Sequence, residues 1–179
     1  MMQHSTQLPK PMIGLHWIIA ILMIGSLAFG IYLEELPRSA DKGDLIGLHK
    51  SFGILVLLLA ILRIFNTLRT GFPQPLTPPT TWQSRIASGT HIILLAGTVL
   101  MPVSGVMMSV GGGYPVAFFG VELIAKGAEI EWLGGLGHIV HGVGANLIIA
   151  AIVLHVVGAL KHSLIDKDGT MKRMLGRSV

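Results

Sequence analysis

Four histidines, His16, His49, His141 and His155, each sit about one turn inside the end of a long apolar stretch, and the last two are fourteen residues apart on one stretch. On an α-helix, fourteen residues advance the chain by about 21 Å and turn it by roughly 1,400°, about 40° short of a whole number of turns. His141 and His155 therefore lie on nearly one face, at opposite ends of their segment. An imidazole is costly to bury in hydrocarbon, so several at matched depths ask for a ligand. A haem iron takes two of them, and with both axial places filled it relays electrons rather than binding oxygen.

The composition says what must carry these side chains. Of 179 residues, 51% are hydrophobic and only 12% are charged, with a mean hydropathy of +0.70. That is far too apolar for a soluble domain of this length and predicts one membrane domain. The net charge of +4 and pI near 9.7 do not point to nucleic acid, because the basic residues are spread over loops and a tail with no recognition motif. Cysteine is absent, which excludes a CxxCH haem attachment, a thiolate-held iron–sulfur cluster and any disulfide. Any haem is therefore held non-covalently.

Four segments, 12–33, 45–65, 86–110 and 138–160, are long and apolar enough to span about 30 Å of hydrocarbon, predicting an all-α bundle of four transmembrane helices. The first is too long for a signal-peptide core and is read as a retained span. An even number of spans puts both termini on one side. That side carries nine of the thirteen Lys and Arg residues, which places the termini in the cytoplasm. Link 66–85 contains Pro73, Pro75, Pro78 and Pro79 and reads as an extended strap. Link 111–137 holds Tyr114, Phe118, Phe119 and Trp132, which suit a short helix lying on the bilayer surface. His4 falls in a terminus read as frayed and solvated.

Depth now becomes readable. His49 and His141 each enter from the periplasmic side and lie about 5 Å deep, while His16 and His155 lie about 6 to 7 Å inside the cytoplasmic face. His138, at the very start of its span, competes weakly with His141. His91 lies at the same depth as His16 and His155, so three imidazoles compete there for two axial places, and spacing alone leaves that choice open.

The strings "GLHWIIAILMI", "GLHKSFGILVLLLAILRI", "PVSGVMMS", "PVAFFG" and "HGVGANLIIAAIVLHVVGALKH" together resemble the bacterial cytochrome b561 family over nearly the whole chain. The resemblance implies two haem b groups, one held by His16 and His155 and the other by His49 and His141, with His91 left free. His138 has no counterpart in that pattern. The resemblance also implies electron transfer between a periplasmic donor, superoxide, and ubiquinone.

Other residues fit around this frame. Gly53, Gly142, Gly144 and Gly158 lie beside the histidines, where glycine permits close approach of a flat macrocycle; ordinary helix packing is the competing reading. Arg63 follows His49 by fourteen residues, which brings it to the depth of the cytoplasmic haem as a propionate partner or a snorkelling cation. Lys50 offers the same choice on the periplasmic side. Met101, Met107 and Met108 read as core filler rather than iron ligands. His91 and His162 are candidate hydrogen-bonding partners for a quinone head-group. Competing functions are a haem-bearing subunit that docks an iron–sulfur dehydrogenase or hydrogenase through the long periplasmic link, and a haem-holding protein with no turnover. A small transporter is disfavoured because no span is broken or carries paired charges at mid-depth.

Overall fold

Proline at the second helical position starts the first helix, because its fixed φ suits a helical turn and its missing N–H has no intrahelical partner there. The computed structural model describes residues 7–71, 73, 76 and 81–178, and in it α1 runs Lys10–Glu35 with Pro9 as its N-cap. Ser39 then caps α2, Ala40–Thr70, by accepting a hydrogen bond from the Lys42 N–H at 3.1 Å. Gly71, at φ 80°, ends α2 in a conformation that favours glycine. α3 spans Thr81–Gly111 and α4 spans Glu131–Lys161. All four are long and apolar enough to cross a membrane, and their exposed faces carry isoleucine, leucine and valine throughout. The expected four-helix membrane bundle is therefore present, with each helix running past the predicted span into more polar sequence.

The link between α2 and α3 is shorter than 66–85, because both helices extend into it. Pro75, Pro78 and Pro79 of the expected strap lie outside the described residues, as does His4.

The connection from α3 to α4 corrects the expectation of a surface helix. It forms an antiparallel hairpin, β1 (Val116–Phe118) and β2 (Val121–Ile124), with Phe118 opposite Val121. Phe119 and Gly120 make the turn at φ 46° and 89°, the two positive values that a tight two-residue hairpin turn requires. A phenylalanine there is strained, and its surroundings compensate. Its N–H donates to Ser51 Oγ at 3.0 Å, and its ring meets Phe52 and Phe118 edge-on at 5.6 and 4.9 Å. Lys50 Nζ donates to the Pro115 carbonyl at 3.1 Å. The hairpin is thus fastened to α2 next to His49.

Past α4 the chain widens into one π-helical turn, His162–Asp166, reverses at Lys167 and Gly169, and ends in α5, Thr170–Met174. The Trp17 indole N–H donates to the Met174 carbonyl at 2.9 Å, tying this tail to α1. Midway along the bundle, Met23, Val56, Met101 and Ile148 form the buried core, one residue from each long helix.

α3 and α4 are the most closely packed pair. A Cβ added at Gly111 would run into the backbone of Gly134 and Leu133, whereas one added at Gly135 meets nothing within 4 Å. Gly111→Ala should destabilise the protein by about 1–3 kcal/mol, read as a lower unfolding temperature in detergent. Gly135→Ala should leave that temperature unchanged or slightly raised, since only helix propensity changes.

Candidate functional site

A seven-residue step organises the interior. His16, Met23 and Gly30 on α1, His49, Val56 and Arg63 on α2, His91, Thr98 and Gly105 on α3, and His141, Ile148 and His155 on α4 are each seven apart. Seven residues fall only about 20° short of two full turns and rise about 10.5 Å, so each column holds one face through three levels. The middle level is the apolar core, with Thr98 buried beside it and its hydroxyl donated to the Leu95 carbonyl at 2.7 Å. The outer levels hold the imidazoles.

At the hairpin end, the His49 and His141 rings stand edge to face with centroids 6.4 Å apart. His141 Nδ1 lies 2.9 Å from Ser104 Oγ and 3.1 Å from the Met101 carbonyl. Glycine lines both rings: a Cβ on Gly30 would sit 3.3 Å from His49 Cε1, and one on Gly105 would sit 3.5 Å from His141 Cε1. His49 Nδ1 is buried without a hydrogen-bond partner. His138 is exposed, and it is His141 that meets His49.

At the end where α1 begins and α4 ends, the His16 and His155 centroids are 6.1 Å apart and those of His91 and His155 are 5.3 Å apart. Arg63 is within electrostatic reach of all three rings. The histidines that sequence spacing placed at matched depths thus stand together at each end, with Arg63 beside those near the start of α1.

Two metal–imidazole bonds of about 2 Å, plus roughly 1.1 Å from each nitrogen to its ring centre, require centroids about 6 Å apart. The His49–His141 and His16–His155 separations are compatible with that span, and His91–His155 at 5.3 Å is shorter than it. Cβ atoms added at Gly53, Gly142 and Gly158 would meet no protein atom within 4 Å, so these glycines are not spent on helix packing. Gly144 behaves differently: its added Cβ would sit 2.8 Å from Met101 Sδ, so there the helix-packing reading holds.

His162 takes up a second arrangement near the termini. Its Nδ1 lies 2.7 Å from Asp168 Oδ2 and 3.4 Å from Asp166 Oδ2. Lys161 Nζ pairs with Asp166 at 2.6 Å. Lys50 is held to the hairpin backbone, and Lys42 Nζ donates to the Leu36 carbonyl at 2.6 Å. Ser104 was missed in the sequence; the available signal was a lone hydroxyl in an apolar run, beside Gly105 in the column that faces His141.

Residues 7–177 match the prokaryotic cytochrome b561 family. The chain is 31% identical over 174 residues to cytochrome b561 homolog 2 of Escherichia coli K12, covering 91% of this chain and 88% of that protein. It is 28% identical over 172 residues to cytochrome b561 homolog 1 of the same organism, covering 94% and 96%. It is 27% identical over 164 residues to a Yersinia pestis protein named "Probable superoxide oxidase CybB", covering 91% and 92%.

The C-terminal turn has its own pH dependence. Burial pushes the Asp168 carboxyl up, but the Thr170 N–H and hydroxyl and the His162 ring outweigh this and hold it below the usual 3.8. A carboxyl lowered in the folded state contributes stability above its unfolded value and loses it as pH falls through the lower, folded value. The turn should stay docked from neutral pH down to about pH 4 and release below it. Trp17 fluorescence, in a background with Trp82 and Trp132 replaced by Phe, should report that step. Asp168→Asn should abolish it; an unaltered acid step in that variant is the contrary result.

Proposed function

The chain belongs to the prokaryotic cytochrome b561 family, multi-pass bacterial membrane proteins that bind b-type haem and transfer electrons, and from that premise we propose that it is a superoxide:ubiquinone oxidoreductase of the inner membrane. In this reading the termini face the cytoplasm and the hairpin faces the periplasm, in keeping with the nine-to-four distribution of basic residues. His49 and His141 hold one haem b near the periplasmic face. His16 and His155 hold a second near the cytoplasmic face. Centroid separations of 6.4 and 6.1 Å carry the ligand assignment. When bound, haem iron with both axial places filled takes up and releases one electron.

The remaining residues have roles around these ligands. Arg63 neutralises a propionate at the cytoplasmic level, within electrostatic reach of His16, His91 and His155. Two superoxide anions each give up one electron and become dioxygen, and one ubiquinone gains two electrons and two protons and becomes ubiquinol. His91 and His162 supply the hydrogen bonds and protons for the quinone head-group, as imidazole does near neutral pH. With His162 Nδ1 engaged by Asp168, Nε2 is the nitrogen left for that contact. At the other face, Lys50, Lys42 and Arg38 draw an anion towards the hairpin, offset by Glu34, Glu35, Asp41 and Asp44 nearby. Support for superoxide as the donor comes from the name of the Yersinia pestis relative.

Haem quantification tests the ligand set. Purified protein should yield two non-covalent haems per chain by pyridine haemochrome; His49→Ala should lose one, and His91→Ala should keep both. A ratio near one in the intact protein, or haem loss from His91→Ala, would contradict the assignment.

A superoxide pulse tests the donor. Haem reduction should be fast, should slow as ionic strength rises, and should fall in Lys50→Glu but not in Lys50→Arg. Equal rates at low and high salt in all three proteins would remove the steering role, and no reduction at all would remove superoxide.

A further inference from the structure

We infer that Ser104 and the Met101 carbonyl together fix the proton of His141 on Nδ1, making Ser104 a positioning residue that lowers the reduction potential of the haem at that level. The inference rests on the haem reading above. Three short contacts close a triangle: Ser104 Oγ donates to the Met101 carbonyl at 2.8 Å, and His141 Nδ1 lies 2.9 Å from that Oγ and 3.1 Å from that carbonyl. The serine's proton is committed to the carbonyl, so its oxygen presents a lone pair to His141. Both atoms beside Nδ1 are then acceptors. Nδ1 must carry the proton, which leaves the lone pair of Nε2 for a metal.

Burial makes the arrangement effective. Ser104 is 1% exposed, so no water competes for its hydroxyl. Its place on α3 is fixed from the other side as well, because a Cβ on Gly137 of α4 would press to 3.0 Å from the Ser104 carbonyl. The backbone that carries the hydroxyl is therefore held against α4, and the hydroxyl itself is held by its bond to the Met101 carbonyl.

The four imidazoles are unequal in this respect. Among the described residues, His141 alone of His16, His49, His141 and His155 has a hydrogen-bonded ring nitrogen, and His49 Nδ1 across from it has none. Donating Nδ1–H to two oxygens raises the basicity of Nε2, and a more basic ligand favours the more highly charged, oxidised iron. Removing the serine oxygen leaves the carbonyl as the sole acceptor, so the preference for oxidised iron weakens without disappearing.

Redox-titrated optical spectra of the intact, haem-loaded protein provide the test, with Ser109→Ala as the control. Ser109 lies on the same helix and is also buried, but its hydroxyl donates to the Gly105 carbonyl at 3.1 Å and touches no histidine. In Ser104→Ala, one haem should lose about tenfold in its preference for the oxidised state, a rise of about 59 mV for a one-electron couple, while the other haem stays put. Ser104→Cys, a weaker acceptor of similar size, should move the same haem part of the way. Ser109→Ala should move neither. Two haems with unshifted potentials in Ser104→Ala, or equal shifts of both haems, would overturn the positioning role alone. A wild-type protein without two one-electron components would overturn the haem reading and the inference with it.

Discussion

An imidazole inside hydrocarbon must be satisfied by something, and that requirement shapes the whole bundle. It is met at two levels, two seven-residue steps apart, so all four helices are bound to one register. A helix slipped by a single residue would rotate its ring by about 100° and leave it facing lipid. The apolar level between, Met23, Val56, Met101 and Ile148, keeps the register by packing, and the close contact of α3 with α4 at Gly111 and Gly137 gives the outer levels a rigid wall. Small residues are used where helix meets helix, and histidines where helix meets helix across a gap of one ring-to-ring distance.

Each end of the bundle is closed by a different device. At the hairpin end, Ser51 is buried and serves three groups at once: it donates towards the Gly47 and Ala117 carbonyls and accepts from Phe119 N–H. One serine thereby carries the strain of a turn that its own residues disfavour. At the other end, a π-helical turn redirects the chain so that Asp168, with only 4% of its side chain exposed, can meet His162. Hydrogen bonds offset the burial of a carboxylate there, and a single tryptophan contact to α1 completes the fold-back.

How much of this could be read from residues alone follows from the kind of signal each part leaves. The four helices were legible because runs of apolar residues longer than twenty have few other uses. The two histidine levels were legible because helical rise converts spacing into depth, and Arg63 followed from the same arithmetic. The choice between His16 and His91 was not, since both match His155 in depth, and both rings stand beside His155, at 6.1 and 5.3 Å. The hairpin was hidden because its turn uses Phe119-Gly120 in place of the usual Asn-Gly or Asp-Gly, and the contacts that compensate for it come from α2, some seventy residues earlier. Ser104 was hidden for the opposite reason: its local sequence is ordinary, and its importance lies wholly in the partner facing it from α4.

The dry middle level also governs how the protein responds to the voltage across its membrane. Its residues offer no chain of hydrogen-bonding groups, since the one buried hydroxyl there, on Thr98, is already spent on its own helix. In the proposed two-haem arrangement electrons would cross this apolar layer by tunnelling, with no relay of buried hydroxyls among the described residues to carry protons alongside them. The two histidine levels are about 21 Å apart in a hydrocarbon layer of about 30 Å, so roughly two-thirds of the potential falls between them. In the proposed direction, from periplasm to cytoplasm, each electron moves against an inside-negative field that costs about 2.3 kcal/mol per 100 mV for a full crossing. Turnover would therefore be held back in a fully energised cell and released when the membrane depolarises.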